Sequence, residues 1–411
     1  MRVLILSQYY APEPIPKPVE LARELSRRGH EITVLTGFPN YPTGRLYPGY
    51  RLAPMRREIL DGIPIIRTFE FPYHGRHAAG RILNYGTFML SAVLGACAAP
   101  RCDVVYVWHP PLSIGVAAWI VSCLGRIPFV YDVQDIWPES VVLSGVLHDG
   151  HFARALSRLE RFVYARARRI LVVTDGARDN LIAKGVPPEK VRVMSHWVDE
   201  TLFAATDSGI RERIRSEYGW GDRFVVLFAG NLGLVQGLDT VLEAAQGLGP
   251  NSSTLIVLMG DGTERERLQT RAQGLGVTSR VQFVPRQPAA RMPDFMAASD
   301  VLLVHLQGSP LCEYVIPTKT FSYLAAGRPI LLAMDGPAAR LVRDAGAGLI
   351  VPPESPQLMT AAIREFEAMT NQARETMGEL GRTYLARHFA KQKVIPEYEA
   401  LLEEAARGLR G

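Results

Sequence analysis

The chain has 411 residues, 47% hydrophobic and 21% charged, enough for two domains with sizeable cores. Its 36 glycines and 29 prolines are spread along it with no low-complexity run, which excludes a fibrous or disordered protein. A net charge of +5 and a pI near 9.0 favour anionic partners without choosing among phosphorylated metabolites, acidic lipid head groups and nucleic acid.

Short apolar, β-branched runs alternate with helical stretches. The first series is Val3 to Ser7, Glu31 to Thr36, Ile63 to Phe69, Asp103 to Trp108, Pro128 to Asp132, Arg169 to Thr174 and Val191 to Ser195. A second comprises Phe224 to Ala229, Thr254 to Met259, Val281 to Val284, Asp300 to Leu306, Pro329 to Ala333 and Gly348 to Val351. Continuous apolar strands of this kind are parallel and covered on both faces. The pattern predicts two α/β domains in tandem, residues 1–198 and 199–392, with a hinge near Thr206-Asp207-Ser208-Gly209. A terminal helix, 393–411, carries Val394, Tyr398, Leu401 and Leu402 at helical spacing and is expected to pack back on the first domain. Open parallel sheets bind ligands beyond the carboxyl ends of their strands, so two such domains are expected to face each other across a cleft.

Two apolar runs, Tyr85 to Ala99 and Leu112 to Gly125, are too short to span a membrane. They read either as buried helices or as helices dipping into a membrane surface, with Arg76, His77 and Arg81 meeting acidic head groups. The four cysteines, Cys97, Cys102, Cys123 and Cys312, form neither a zinc spacing nor a disulfide framework. With only Val3 to Leu6 apolar before Ser7, no signal peptide is indicated, and a cytoplasmic setting is expected.

No Gly-x-Gly-x-x-Gly follows the first strand, which argues against a dinucleotide-dependent dehydrogenase. Past the fifth predicted strand, Asp132-Val133-Gln134-Asp135-Ile136-Trp137-Pro138-Glu139 places polar and acidic groups where catalytic residues collect. Asp135 reads equally as a helix cap there. In the second domain Gly230-Asn231-Leu232-Gly233, with Gly237 and a helix after it, offers backbone N–H groups to a phosphate; the same glycines also suit a plain tight turn. Gly260-Asp261-Gly262 is equally ambiguous. The segment from Cys312 to Pro329 combines a helix start, the hydroxyls of Thr318, Thr320 and Ser322 and one of only six lysines, Lys319. Dipole, N–H groups and point charge together suit a diphosphate. No Asp-x-Asp, His-Glu-x-x-His or His/Cys cluster occurs, so no catalytic metal or other cofactor is expected, and no Gly-x-Ser-x-Gly elbow supports a serine hydrolase.

Several motifs occur in order: Tyr9-Tyr10-Ala11-Pro12-Glu13-Pro14, Arg28 to Pro42, Asp135-Ile136-Trp137-Pro138-Glu139-Ser140, Gly237-Leu238-Asp239-Thr240, Gly260-Asp261-Gly262 and Ser322 to Pro329. As an ordered set they resemble the GT-B glycosyltransferases of family 4 over nearly the whole chain, within them the N-acetyl-fucosamine transferases of surface-polysaccharide assembly. The resemblance implies two Rossmann-like domains, the first for acceptor and the second for a nucleotide-sugar donor. It implies metal-independent, retaining transfer of an N-acetylated or deoxy hexose from a UDP-sugar to a polyprenyl-diphosphate-linked or other saccharide acceptor, for lipopolysaccharide O-antigen or capsule. Nucleic acid is not an expected partner. The enzyme is expected to sit peripherally on the inner face of the plasma membrane.

The departures from the family pattern concern charge. Gln134 stands where a histidine is common; an amide there accepts a sugar hydroxyl but does no acid-base work. The usual basic pair falls on Asn231 and Gln236, which makes Lys319 the leading compensating cation, with Arg286 a further candidate near the donor. The two glutamates usual before Ala-x-Gly-x-Pro fall on Tyr314 and Ser322, with Glu313 one residue from the first. The resemblance thus implies catalytic roles for Gln134, Asp135, Lys319 and Glu313. It implies donor-binding roles for Gly230, Asn231, Gly233, Gln236, Gly260, Arg286, Thr318, Thr320 and Ser322. A nucleotide-sugar 2-epimerase and a non-enzymatic nucleotide-sugar-binding protein remain as alternative readings of the same architecture.

Overall fold

A computed structural model describes residues 1–75, 77–140, 150–204 and 209–407. Arg76 and the hinge residues Thr206, Asp207 and Ser208 lie outside the described residues, as do residues 408–411 of the expected terminal helix. The chain divides into two compact units, Met1–Ser195 with Ile395–Gly411, and His196–Val394. Sequence placed these boundaries at 198/199 and 392/393.

In the first unit eight strands form one sheet: β1 (Arg2–Ser7), β2 (Glu31–Gly37), β3 (Met55–Leu60), β4 (Ile63–Thr68), β5 (Val104–Trp108), β6 (Phe129–Asp132), β7 (Arg169–Val172) and β8 (Val191–Val193), in the order β3-β4-β2-β1-β5-β6-β7-β8. Strands β1, β2, β5 and β6 are buried almost end to end, because helices cover both faces and leave no water-facing side for polar alternation. β3 departs from the all-parallel expectation, pairing antiparallel with β4 from Met55↔Thr68 to Leu60↔Ile63. Its sequence, MRREIL, is largely exposed, so it carries no apolar run to betray it. The signal was the two-residue turn Asp61-Gly62, with φ of +52° and +79°, which suits a tight hairpin. Charged, twisted edges of this kind resist further strand pairing.

The apolar runs become the helices Ala78–Ala96 and Ser113–Gly125. Phe88 and Ala92 of the first and Ile114, Ala117 and Ala118 of the second are buried, whereas Leu90 and Leu94 are 62% and 73% exposed. Among the described residues no helix is long and apolar enough to cross a membrane. The last helix, Lys391–Arg407, enters the first unit at Ile395. There Tyr398 stacks edge-on to Tyr106 at 6.5 Å, and Glu399 engages Arg28 and His30.

In the second unit six parallel strands, β9 (Phe224–Ala229), β10 (Thr254–Met259), β11 (Val281–Val284), β12 (Val301–His305), β13 (Ile330–Ala333) and β14 (Gly348–Val351), run in the order β11-β10-β9-β12-β13-β14. Residues of β9, β10 and β12 alternate between two hydrophobic clusters, one on each face. Val225 and Leu227 join Leu302, Phe321 and Leu332; Val226 and Phe228 join Val241, Leu303 and Ile363. Strand order reverses between β9 and β12, the position at which such sheets open a ligand crevice at their carboxyl ends.

Candidate active site

In the second unit, strands β9 and β10 end on Gly230 and Gly260, with φ of +155° and +145°. The Gly230 amide donates to the Met259 carbonyl at 2.9 Å. A Cβ on Gly260 would stand 1.8 Å from the Gly230 oxygen, and one on Gly262 would stand 2.4 Å from the Leu232 oxygen. These glycines allow two backbones to touch, beyond what a turn alone requires. The chain then crosses exposed Asn231 and makes a short 3-10 turn, Leu234–Gln236, ending on left-handed Gly237. The following helix is Asp239–Gly247.

Lys319 enters this corner from the first turn of the helix Thr318–Ala326. Its ammonium donates to Gln236 Oε1 at 2.8 Å and lies 3.7 Å from the centre of the Phe228 ring. It also lies 3.1 Å from where a Gly230 side chain would begin. Lys319 thus reaches both the turn holding Gln236 and the end of β9, where the two uncharged replacements, Asn231 and Gln236, sit. Burial lowers its pKa to about 7, since among the described residues no carboxylate compensates the lost hydration.

Two residues that sequence reasoning passed over hold this corner. His305, buried at the end of β12, bonds through Nδ1 to the Gln236 carbonyl at 2.6 Å. A carbonyl only accepts, so Nδ1 carries the proton. The Ala229 amide donates to the Tyr323 hydroxyl at 3.0 Å, fixing the end of β9 from the Lys319 helix. In the sequence His305 was only a single polar group at a strand end and Tyr323 one aromatic within a helix.

Other expected donor residues fare differently. Gly233 packs against the Asn231 amide, where a Cβ would stand 2.6 Å from Nδ2. Thr318 is exposed and Ser322 half-buried. Thr320 is wholly buried, and its Oγ1 finds no partner among the described residues. Glu313 does not join the Lys319 group: its carboxylate is 54% exposed and faces Arg340 at 3.7 Å. Arg286 is exposed just past β11 and makes no ion pair among the described residues.

The first unit gathers a second polar group at the carboxyl ends of its strands. Gln134, half-buried just past β6, donates through Nε2 to Asp132. Asp132, 1% exposed, also accepts from the Tyr106 hydroxyl and lies 3.2 Å from the Lys17 ammonium. Lys17 in turn sits 5.2 Å from the Trp108 ring centre and 5.1 Å from that of Tyr398. The Gln134 amide is therefore oriented with its carbonyl available as an acceptor. Asp135 is half-buried, and burial raises its carboxyl pKa. The next helical turn begins at Glu139, with the Ser140 amide donating to the Ile136 carbonyl, so Asp135 does not stand at the N-cap.

Beside this group stand aromatic rings: Tyr9 and Tyr41 at 5.0 Å, Tyr41 and His74 at 5.1 Å, and His109 and Trp137 at 5.8 Å. Glu13 explains the Tyr9 to Pro14 motif, since it accepts from the amides of Tyr10, Asn40 and Tyr41 at 2.8–2.9 Å. It ties two loops together, and burial pushes its pKa up to about 7 despite those donors. Glu70 accepts from Gln8 and Asn40, each at 2.6 Å. Among the described residues, one group has metal-ligand spacing, His30 with Glu399 and Glu403. His30 is already held between the Met1 amino group and Glu399.

The Glycosyl transferase 4-like domain matches residues 18–197, and the Glycosyl transferases group 1 domain matches residues 210–384. The chain is 25% identical over 417 residues to WcaI of Escherichia coli K12, named for colanic acid biosynthesis, covering 97% of this chain and 98% of that one. It is 30% identical over 318 residues, 69% of this chain and 80% of the relative, to a GDP-mannose-dependent alpha-(1-6)-phosphatidylinositol monomannoside mannosyltransferase of Mycolicibacterium smegmatis. HepE of Anabaena, solved with UDP-glucose, shares the fold at a TM-score of 0.75 and 18% identity, over 98% of this chain and 100% of that one. Two parallel-sheet units, the glycine-lined corner ending β9 and β10, and matches along both units together identify the chain as a GT-B glycosyltransferase of family 4.

Proposed function

We propose that this glycosyltransferase transfers a sugar, with retention and without a metal ion, from a UDP-sugar to a lipid-linked saccharide of surface-polysaccharide assembly. In this reading the second unit takes the donor and the first the acceptor. The observation that carries the donor assignment is the Lys319 ammonium, seated between Gln236 and the glycine end of β9. Backbone approach at Gly230 and Gly260, a cation and a helix start converge there, the combination a diphosphate requires. As the bond from the anomeric carbon to the diphosphate oxygen breaks, negative charge grows on the leaving group. A preorganised ammonium in a partly dry corner stabilises that charge more than it stabilises the bound donor. In the first unit, Gln134 presents its amide carbonyl to a sugar hydroxyl, held in that direction by Asp132.

HepE was solved with UDP-glucose, and the mycobacterial relative is named for GDP-mannose, so the nucleotide is the part to test first. UDP-, GDP- and dTDP-sugars are screened for protection against thermal unfolding, since a ligand selective for the folded state raises its stability by mass action. UDP-sugars are expected to protect most. Transfer is expected to persist in EDTA, and loss of transfer on chelation, restored by a divalent cation, refutes the metal-free reading.

The polyprenyl acceptor and the setting at the inner face of the plasma membrane belong to the same proposal. They are supported by the outer face of the helix Ala78–Ala96, where Ile82, Leu83, Leu90 and Leu94 are 48–73% exposed and Arg81 stands at the amino end. An apolar stripe with adjacent positive charge suits an anionic bilayer surface.

A further inference from the structure

A cleft of about 530 Å³ is lined by Gly49, Tyr50, Arg51 and Arg56, residues to which neither the sequence motifs nor the proposed reaction gives a role. Its size falls within the range of small-ligand sites. Its place in the sheet is informative. Met55 at the start of β3 pairs with Thr68, the last residue of β4, and Thr68 pairs on its other side with Gly37, the last residue of β2. The cleft therefore opens at the carboxyl ends of the parallel strands, the end that carries the Tyr9, Tyr41 and His74 rings. One loop links the two, and within it the Tyr47 hydroxyl donates to the Tyr41 carbonyl at 2.9 Å.

The wall carries surplus positive charge. The Tyr50 ring lies 4.8 Å from the Arg67 guanidinium and 5.1 Å from that of Arg56. Arg67 is fully buried, held by Glu58 at 2.6 Å and by the Gly37 carbonyl at 3.0 Å, and it also donates to the Ala11 carbonyl. Glu58 thus serves Arg67 first and meets Arg56 only at 3.4 Å. The hairpin's other acid, Asp61, is paired with Arg23. Arg51 is exposed and makes no ion pair among the described residues. Guanidiniums over one tyrosine ring, sharing a single carboxylate, with unpaired Arg51 beside them, are matched by a sugar bearing a negative charge.

We infer that the β3 hairpin forms an anion subsite for the acceptor, seating a carboxylate- or phosphate-bearing sugar beside Tyr50 with its charge on Arg51 and Arg56. The inference rests on the reading of the first unit as the acceptor unit. Its test is direct binding without donor, so it fails or stands independently of turnover.

Saturation-transfer NMR on the whole protein compares methyl glucuronide, glucose 6-phosphate and methyl glucoside as probes. The two anionic probes are expected to receive saturation at least fivefold above the neutral one, and relative transfer between them tells carboxylate from phosphate. In Arg51→Gln/Arg56→Gln the anionic signals are expected to fall to the neutral level, and Tyr50→Ala is expected to lose transfer to the ring protons. The thermal unfolding profile of the whole protein, measured on the same samples, is expected to be unchanged, which shows that the first unit of each variant is folded. Equal transfer to charged and neutral probes, or an undiminished anionic signal in the double variant, overturns the subsite. So does a double variant that loses binding to vesicles containing anionic lipid while the wild type never discriminates the sugars; the arginines then serve a bilayer.

Discussion

The Lys319 ammonium and the Gln236 side-chain oxygen are 2.8 Å apart, although 83 residues separate them in sequence. Gln236 is where the family resemblance calls for a cation, and Lys319 supplies one from a different element. The charge has moved within the corner while the corner keeps it. Gln236 is itself held from behind, since its carbonyl accepts from His305.

Lys319→Ala is expected to lower turnover by about thirtyfold to a thousandfold, the equivalent of roughly 2–4 kcal/mol of lost transition-state stabilisation. Folding is expected to be undamaged, because the substitution removes a poorly solvated ammonium; thermal unfolding without ligand should be at least as high as wild type at pH 7. Lys319→Arg is also expected to be slow, since a guanidinium fork does not fit where a compact ammonium meets the Phe228 ring and Gly230. Wild-type rates in folded Lys319→Ala would move the charge to another residue.

Donor affinity is expected to depend on pH through the same residue. The free-protein pKa of Lys319 is lowered to about 7, and a bound diphosphate raises it. Above pH 7 the free protein loses the proton that the complex keeps, so affinity falls as pH rises. The slope approaches tenfold per unit until the bound-state pKa is reached. Calorimetric titration of UDP at pH 7.5, 8.5 and 9.5 avoids the phosphate's own ionisation near 6. A flat profile removes Lys319 from the diphosphate; in Lys319→Ala the slope should vanish.

Gln134→Ala is expected to reduce kcat more than it raises the donor KM, because a sugar hydroxyl bond that tightens during transfer is a transition-state contact. Asp132→Asn is expected to shift kcat the same way by freeing the amide to flip. Its stability loss should be separable, since pairing Asp132→Asn with Lys17→Met removes both buried charges and restores folding but not turnover. Equal kcat in folded Gln134→Ala refutes the assignment.

Gly260→Ala is expected to destabilise the second unit by about 3 kcal/mol, because its φ of +145° and the Gly230 oxygen 1.8 Å from a new Cβ both oppose a side chain. Thermal unfolding and UDP affinity should fall together. Gly274→Ala, where a Cβ would meet nothing within 4 Å among the described residues, serves as the control.

Leu90→Gln/Leu94→Gln is expected to abolish flotation with anionic liposomes at low salt while leaving UDP affinity intact, since both side chains are on the exposed face of their helix. Flotation unchanged by the double variant, or absent in wild type, leaves the helix face without a bilayer partner.

The two-unit parallel architecture was legible from sequence because strands buried on both faces must be apolar without interruption, as in Val104 to Trp108 and Phe224 to Ala229. Glycines at strand ends were legible too, since a close backbone approach permits few residue types. The edge strand Met55–Leu60 was not, because an exposed strand is under no apolar constraint. Which polar groups meet was decided by tertiary structure alone. Glu313 and Lys319 are six residues apart, yet Glu313 faces Arg340 while Lys319 reaches Gln236. Lys17 and Asp132, 115 residues apart, form one buried pair that orients Gln134. Periodicity reports which face of an element is dry; the register of distant elements, set by packing, determines which charges share a site.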